Sequence, residues 1–200
     1  FNDEALDEAL TRMAVRQDTA DFRLAAMVRA LYLDDTTAAL PEDVRTRIED
    51  TLVGFRYWLD QPGDDGMCYW TENHQILFHS GELLVGQRFK DRQFPDSGMT
   101  GADHVAHALP RLHRWLDLRG RLGFSEWHSN VYFNEDIPAV LNLADFAEDP
   151  VIREKAAMVL DVLALDLLAN MYKGTFATVH GRTYESKFLD RLNDSTRNAA

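Results

Sequence analysis

Residues 151–171 read VIREKAAMVLDVLALDLLANM. Wound at 3.6 residues per turn, the apolar residues extend around much of the helix, which predicts a buried inner helix opened by Asp149-Pro150. The same period runs through the rest of the chain. Apolar residues at three- and four-residue spacing predict helices over 3–16 and about 20–33. Pro41 suits a first helical turn, and PEDVRTRIEDTLVGFRYWL carries that helix to about Leu59. The loop DQPGDDG (60–66) separates it from a helix over about 72–87. Beyond the loop RFKDRQFPDSGMTG (88–101), residues 102–121 are helical, with Pro110 a kink or break, and another helix spans about 132–147. The end, GTFATVHGRTYESKFLDRL (174–192), begins irregular or extended and finishes helical.

Long helices alternating with loops, few strand signals and no strict repeat predict an all-α fold of stacked αα-hairpins, as a solenoid or toroid, with an ordinary helical bundle as the alternative. The 200 residues fit a single domain, 1–200, and the opening Phe1 leads to the expectation of a fragment or processed piece of a larger chain. A full-length chain with a signal peptide would be secreted or periplasmic. The net charge of −12 argues against nucleic acid as a partner, since no basic stripe exists to displace phosphate counterions. The single cysteine, Cys68, excludes an internal disulfide framework and a Cys-based zinc cluster. No stretch approaches the roughly 18 apolar residues of a membrane span.

Two polar clusters interrupt this pattern. YWTENHQILFHSGELLVGQ (69–87) opens an apolar helix on Glu72, Asn73 and His74, just after Trp70. Glu72 there complements the helix N-terminus, and Asn73 and His74 could simply cap it; the preceding loop, a common seat for sites, favours function. GFSEWHSNVYFNED (123–136) gathers Glu126, Trp127, His128, Ser129, Asn130 and Tyr132. Aromatic faces stack on sugars while amides and carboxylates bridge hydroxyls, so this run reads as a lined carbohydrate cleft. Downstream, HGRTYESK places His180, Arg182 and Tyr184 together; Arg182 suits a substrate carboxylate or an internal acid. His104 and His107 share a helix face with no obvious carboxylate partner and read as a solvated face. No phosphate loop, nucleophile elbow or metalloprotease helix is present.

Adjacent Asn73-His74 at a helix start, followed 58 residues after His74 by Tyr132 in a polar segment, resembles the alginate lyase and heparinase II/III-like polysaccharide lyases. The resemblance covers about residues 60–190. It implies an incomplete (α/α) toroid, a polysaccharide or oligosaccharide substrate and no cofactor or metal. Carried over, Asn73 and His74 neutralise a uronate carboxylate and Tyr132 transfers the proton. Glu72, Trp70, Glu126, Trp127, His128, Asn130, His180, Arg182 and Tyr184 line the substrate. The β-rich region of those enzymes has no counterpart here, and the acidic balance suits an anionic glycan only if Arg88, Lys90, Arg92 and Arg182 gather near the cleft.

The implied chemistry is β-elimination beside a uronate carboxylate, in which an amide and an imidazole stabilise developing charge. A tyrosine whose pKa is lowered from about 10 by a nearby cation accepts the proton. Two other readings stay open. A glycoside hydrolase would use Glu72 and Glu126, or one of them with Asp136, about 5–9 Å apart. A non-catalytic binding module would use the polar clusters as hydrogen-bond networks holding hairpins in register.

Overall fold

A computed structural model of the chain describes residues 2–198. Eight α-helices and one two-residue hairpin make up its regular α and β structure. The chain divides into two compact units, residues 1–111 and 112–200.

The first unit contains α1 (Asp3–Ala14), α2 (Asp21–Thr37), α3 (Glu42–Val53), α4 (Glu72–Arg88) and the first half of α5 (Gly101–Leu122). Helix α1 starts where the Asn2 side chain accepts the Ala5 amide proton at 3.1 Å, satisfying one of the orphan donors of the first turn. It packs on α2 and α3, and α2 packs on α4. Leu6, Met13, Leu24, Val28, Leu31, Ile48, Leu52, Ile76, Phe78 and Leu84 are buried here. Within α4, only Gln75 among residues 72–87 escapes full burial, so α4 is the inner helix of the first unit.

Close approach is built into α4 by glycine. A Cβ on Gly81 would lie 2.3 Å from a Leu24 methyl of α2. At the start of α5, a Cβ on Gly101 would lie 2.1 Å from the Phe89 carbonyl oxygen, and that backbone cannot swing aside as a side chain could. Gly101→Ala is therefore expected to destabilise the protein by about 2–3 kcal/mol through overpacking, measured by chemical denaturation. The open Gly120, with nothing within 4 Å, supplies the control: alanine there should leave stability unchanged or raise it slightly.

The second unit contains the rest of α5, then α6 (Phe133–Phe146) and α7 (Pro150–Asn170). The strands β1 (Met171–Tyr172) and β2 (Thr175–Phe176), α8 (Glu185–Leu189) and two 3-10 turns complete it. Three residues join α6 to α7, and the two helices pack along each other as a hairpin. The Asp149 carboxylate caps α7 by accepting the Val151 amide proton at 2.8 Å, with Pro150 at the first helical position.

Three expectations change. Helix α7 is not buried all round: Ile152, Ala156, Val159, Leu163 and Leu167 form one buried stripe, while Val151, Met158, Leu165 and Leu168 are exposed. Helix α3 ends at Val53 rather than Leu59, because Phe55 and Tyr57 turn into the core. Arg56 meanwhile folds the loop around itself, reaching Asp65 Oδ2 at 2.6 Å and the Leu59 and Gln61 carbonyls. Pro110 neither ends nor splits α5; it lies on the exposed face, where the carbonyl it deprives of a donor can meet water. The helical hairpins are plain, and the toroid remains an implication of the resemblance.

Candidate functional site

In the second unit the chain from Glu126 to Tyr132 is pinned to the chain from His180 to Lys187 by short polar side chains. Ser129 Oγ donates to the Arg182 carbonyl at 2.8 Å and accepts the Tyr132 amide proton at 3.0 Å. Asn130 accepts from Thr183 Oγ1 at 2.7 Å and donates to the Lys187 carbonyl at 3.1 Å. Gly181 N–H donates to the Trp127 carbonyl at 2.8 Å, in an approach so close that a Cβ would meet Trp127 Cβ at 3.0 Å. Trp127 stacks on His128 at 4.1 Å, and His180 Nδ1 donates to the His128 carbonyl at 2.6 Å. The residues expected to bind substrate as Asn130 and His180 are thus also staples between two segments.

These pins bring Arg182 against two tyrosines. Its guanidinium carbon lies 4.8 Å above the Tyr132 ring centre, and Nη2 donates to the Tyr132 hydroxyl at 3.2 Å and the Tyr184 hydroxyl at 3.3 Å. The two phenolic hydroxyls are hydrogen-bonded to each other. Glu126 Oε1 stands 3.5 Å from Arg182 Nη1. Tyr132 is 8% exposed and Tyr184 48%.

That difference in exposure separates the two phenols electrostatically. Burial, reinforced by the hydrogen bond with Tyr184, pushes Tyr132 up to about 12. The hydrogen bonds from Tyr132 and then Arg182 bring Tyr184 below the usual tyrosine value. The expected lowering of Tyr132 by a nearby cation is therefore not found, because desolvation outweighs Arg182; the partner tyrosine carries the lowered pKa. Asp136, close enough to Glu126 to feel its charge, is wholly buried with neither carboxyl oxygen hydrogen-bonded among the described residues. Burial, then the Glu126 charge, push its pKa well up, which favours the protonated form.

In the first unit, Glu72, Asn73 and His74 form the buried first turn of α4, while Trp70 just before them is 70% exposed. Asn73 Nδ2 donates to Thr71 Oγ1 at 3.2 Å. His74 Nδ1 donates to Asp21 Oδ2 at 2.6 Å, and Phe22 stacks on the ring at 5.2 Å. The Asp21 bond engages Nδ1 and leaves Nε2 as the ring nitrogen for other work. Of the cations expected to gather for a polyanion, Arg88 is committed to Asp35 and Glu49, and Arg92 to Asp50.

Reading the sequence also missed a hub in the first unit. Glu82, wholly buried on α4, accepts at Oε1 from His104 Nδ1 and His107 Nδ1, both at 2.8 Å, and from Gln61 Nε2 at 2.9 Å. His104 is fully buried and His107 partly so, which overturns their reading as a solvated face. Their missing carboxylate lay in HSGELLVG, where one acid in an apolar helix signals a partner that must be supplied. Among the described residues no three His, Cys, Asp or Glu side chains are arranged to hold a metal ion, and no helix is long and apolar enough to cross a membrane.

Comparison with protein-family models, with curated proteins and with solved structures finds no match to the chain.

Proposed function

We propose that this chain is a carbohydrate-active domain that cleaves uronate-containing glycans by β-elimination. The observation that supports it most is the Arg182–Tyr132–Tyr184 group: a cation within hydrogen-bonding distance of two phenols, one of them half-exposed with a lowered pKa. A uronate C5 proton is acidic enough to remove only if the adjacent carboxylate is neutralised, and Arg182 has N–H groups beyond those spent on the phenols. Tyr184, as phenolate, takes the C5 proton. The C5–H electron pair forms the C4–C5 double bond, the C4–O bond breaks, and the new Tyr184 hydroxyl returns a proton to the departing oxygen. Tyr132 stays protonated and donates to the Tyr184 oxygen, stabilising the phenolate between turnovers. The exposed rings of Trp127 and Trp70 offer sugar-stacking faces, each in its own unit.

The hydrolase alternative gains less. Asp136 is wholly buried and cannot reach a glycosidic oxygen without rearrangement, and Glu126 faces Arg182. The test is ultraviolet absorbance during incubation with a panel of uronate polysaccharides. A rise from the conjugated unsaturated uronate is expected. New reducing ends without absorbance would transfer the chemistry to hydrolysis, and neither signal would leave the clusters as the structural networks that Ser129 and Asn130 already form.

A further inference from the structure

Apart from the tyrosine site, the Glu82 hub gathers two histidines and a glutamine on one buried carboxylate oxygen, and one of its members has two acids to serve. His107 Nδ1 lies 2.8 Å from Glu82 Oε1, and Nε2 lies 3.0 Å from Asp60 Oδ2. A neutral imidazole carries one N–H and can donate to one of them; only the imidazolium donates to both. The two acids are held very differently. Glu82 is wholly buried on α4 and has His104 and Gln61 as further donors. Asp60 is half-exposed in the loop between α3 and α4, where Arg111 Nη2 is its other donor at 2.8 Å.

We infer that His107 is a proton-operated clasp: charged, it joins Arg111 in tying the loop around Asp60 to α5 and links it to Glu82 of α4; neutral, it keeps Glu82 and leaves Asp60 to Arg111 alone. The choice follows from solvent. Without His107, Asp60 keeps Arg111 and meets water, whereas Glu82 would lose a donor in a dry interior. The groups facing His107 are Glu82 and His79 from α4, Arg111 and His104 from α5, and Asp60 from the loop, with Tyr57 near Glu82. Glu82 and Asp60 hold the proton on and Arg111 opposes it. Burial pulls His79 down to about 3, so it stays neutral throughout, and His104 is occupied by Glu82 and Ser97. The hydrogen bond to Glu82 leads in raising the His107 pKa, so the clasp is shut in mild acid and opens on the alkaline side. Gln61 and the Arg56–Asp65 pair hold the rest of the loop, so release is confined to its stretch near Asp60.

The test follows His107 by its imidazole carbon-bound proton resonances and the loop by amide exchange of residues 58–64, corrected for the intrinsic pH dependence of exchange. Protection in that stretch is expected to fall about tenfold as His107 deprotonates, the worth of one charge-assisted hydrogen bond. Asp60→Ala, at a half-exposed position, should abolish the step and move the His107 titration to lower pH. Protection that ignores pH, or a step with an unchanged midpoint in Asp60→Ala, overturns the inference. The result does not depend on any catalytic activity.

Discussion

Tyr184→Phe is expected to lower the rate of uronate elimination by about a hundred- to ten-thousand-fold, the range over which a positioned proton-transfer group acts. The ring and its T-shaped contact with Tyr132 survive the change, so substrate binding should be nearly intact and the loss should fall on kcat. Tyr132→Phe should behave differently. It removes the largest of the influences that lower Tyr184, so the Tyr184 pKa rises and the rising limb of the pH profile, which needs the phenolate, moves to higher pH. Raising the pH should then recover much of the lost rate in Tyr132→Phe and none in Tyr184→Phe. Near-ultraviolet titration provides a check independent of substrate: the first tyrosinate signal of the wild type should disappear in Tyr184→Phe. The reverse pattern, full activity in Tyr184→Phe and none in Tyr132→Phe at any pH, would return the proton-transfer role to the buried ring.

How this pair escaped the sequence is instructive. Both tyrosines were visible, and Tyr132 stood out because it closes a dense polar run. Which of two phenols ionises first depends on how much water each retains and on who donates to whom, and neither quantity has a spacing signature. The same limit applies to Asn130, whose neighbours suggested a cleft although its amide spans Thr183 and Lys187. Helix positions, in contrast, were legible almost throughout, because period, the Asp149-Pro150 start and glycine-rich loops act locally. Burial was not. Helix α7 has the more apolar sequence yet exposes Met158 and Leu165, while α4, interrupted by two histidines and two glutamates, is the buried one. Polar residues enter a core when partners from other segments meet them, and those partners, Asp21 for His74 and His104 with His107 for Glu82, lie 53, 22 and 25 residues away.

Glu82→Ala should therefore be the most destabilising of the polar substitutions considered. The change leaves a fully buried His104 N–H, a His107 cation and the Gln61 amide without their common acceptor. Breaking a buried, paired charge in this way costs about 3–5 kcal/mol, which in a chain of this size lowers Tm by roughly 10 °C. The exposed pair Arg92–Asp50, at 2.6 Å, sets the contrast: Arg92→Ala should cost no more than about 1 kcal/mol, since solvent screens both partners. The Glu82 effect should also vary with pH in a defined direction. Hydrogen bonds from His104 and His107 overcome burial and lower the Glu82 pKa, so its contribution is present above about 4.5 and lost as pH falls through the lowered value. The His107 pKa is raised, so its share is complete below about 6.5 and lost as pH rises through the raised value. The difference in unfolding free energy between wild type and Glu82→Ala should thus be largest between about pH 4.5 and 6.5 and shrink on both sides. A difference that stays constant across that range would mean that the hub is held by shape and packing, with the proton on His107 contributing nothing.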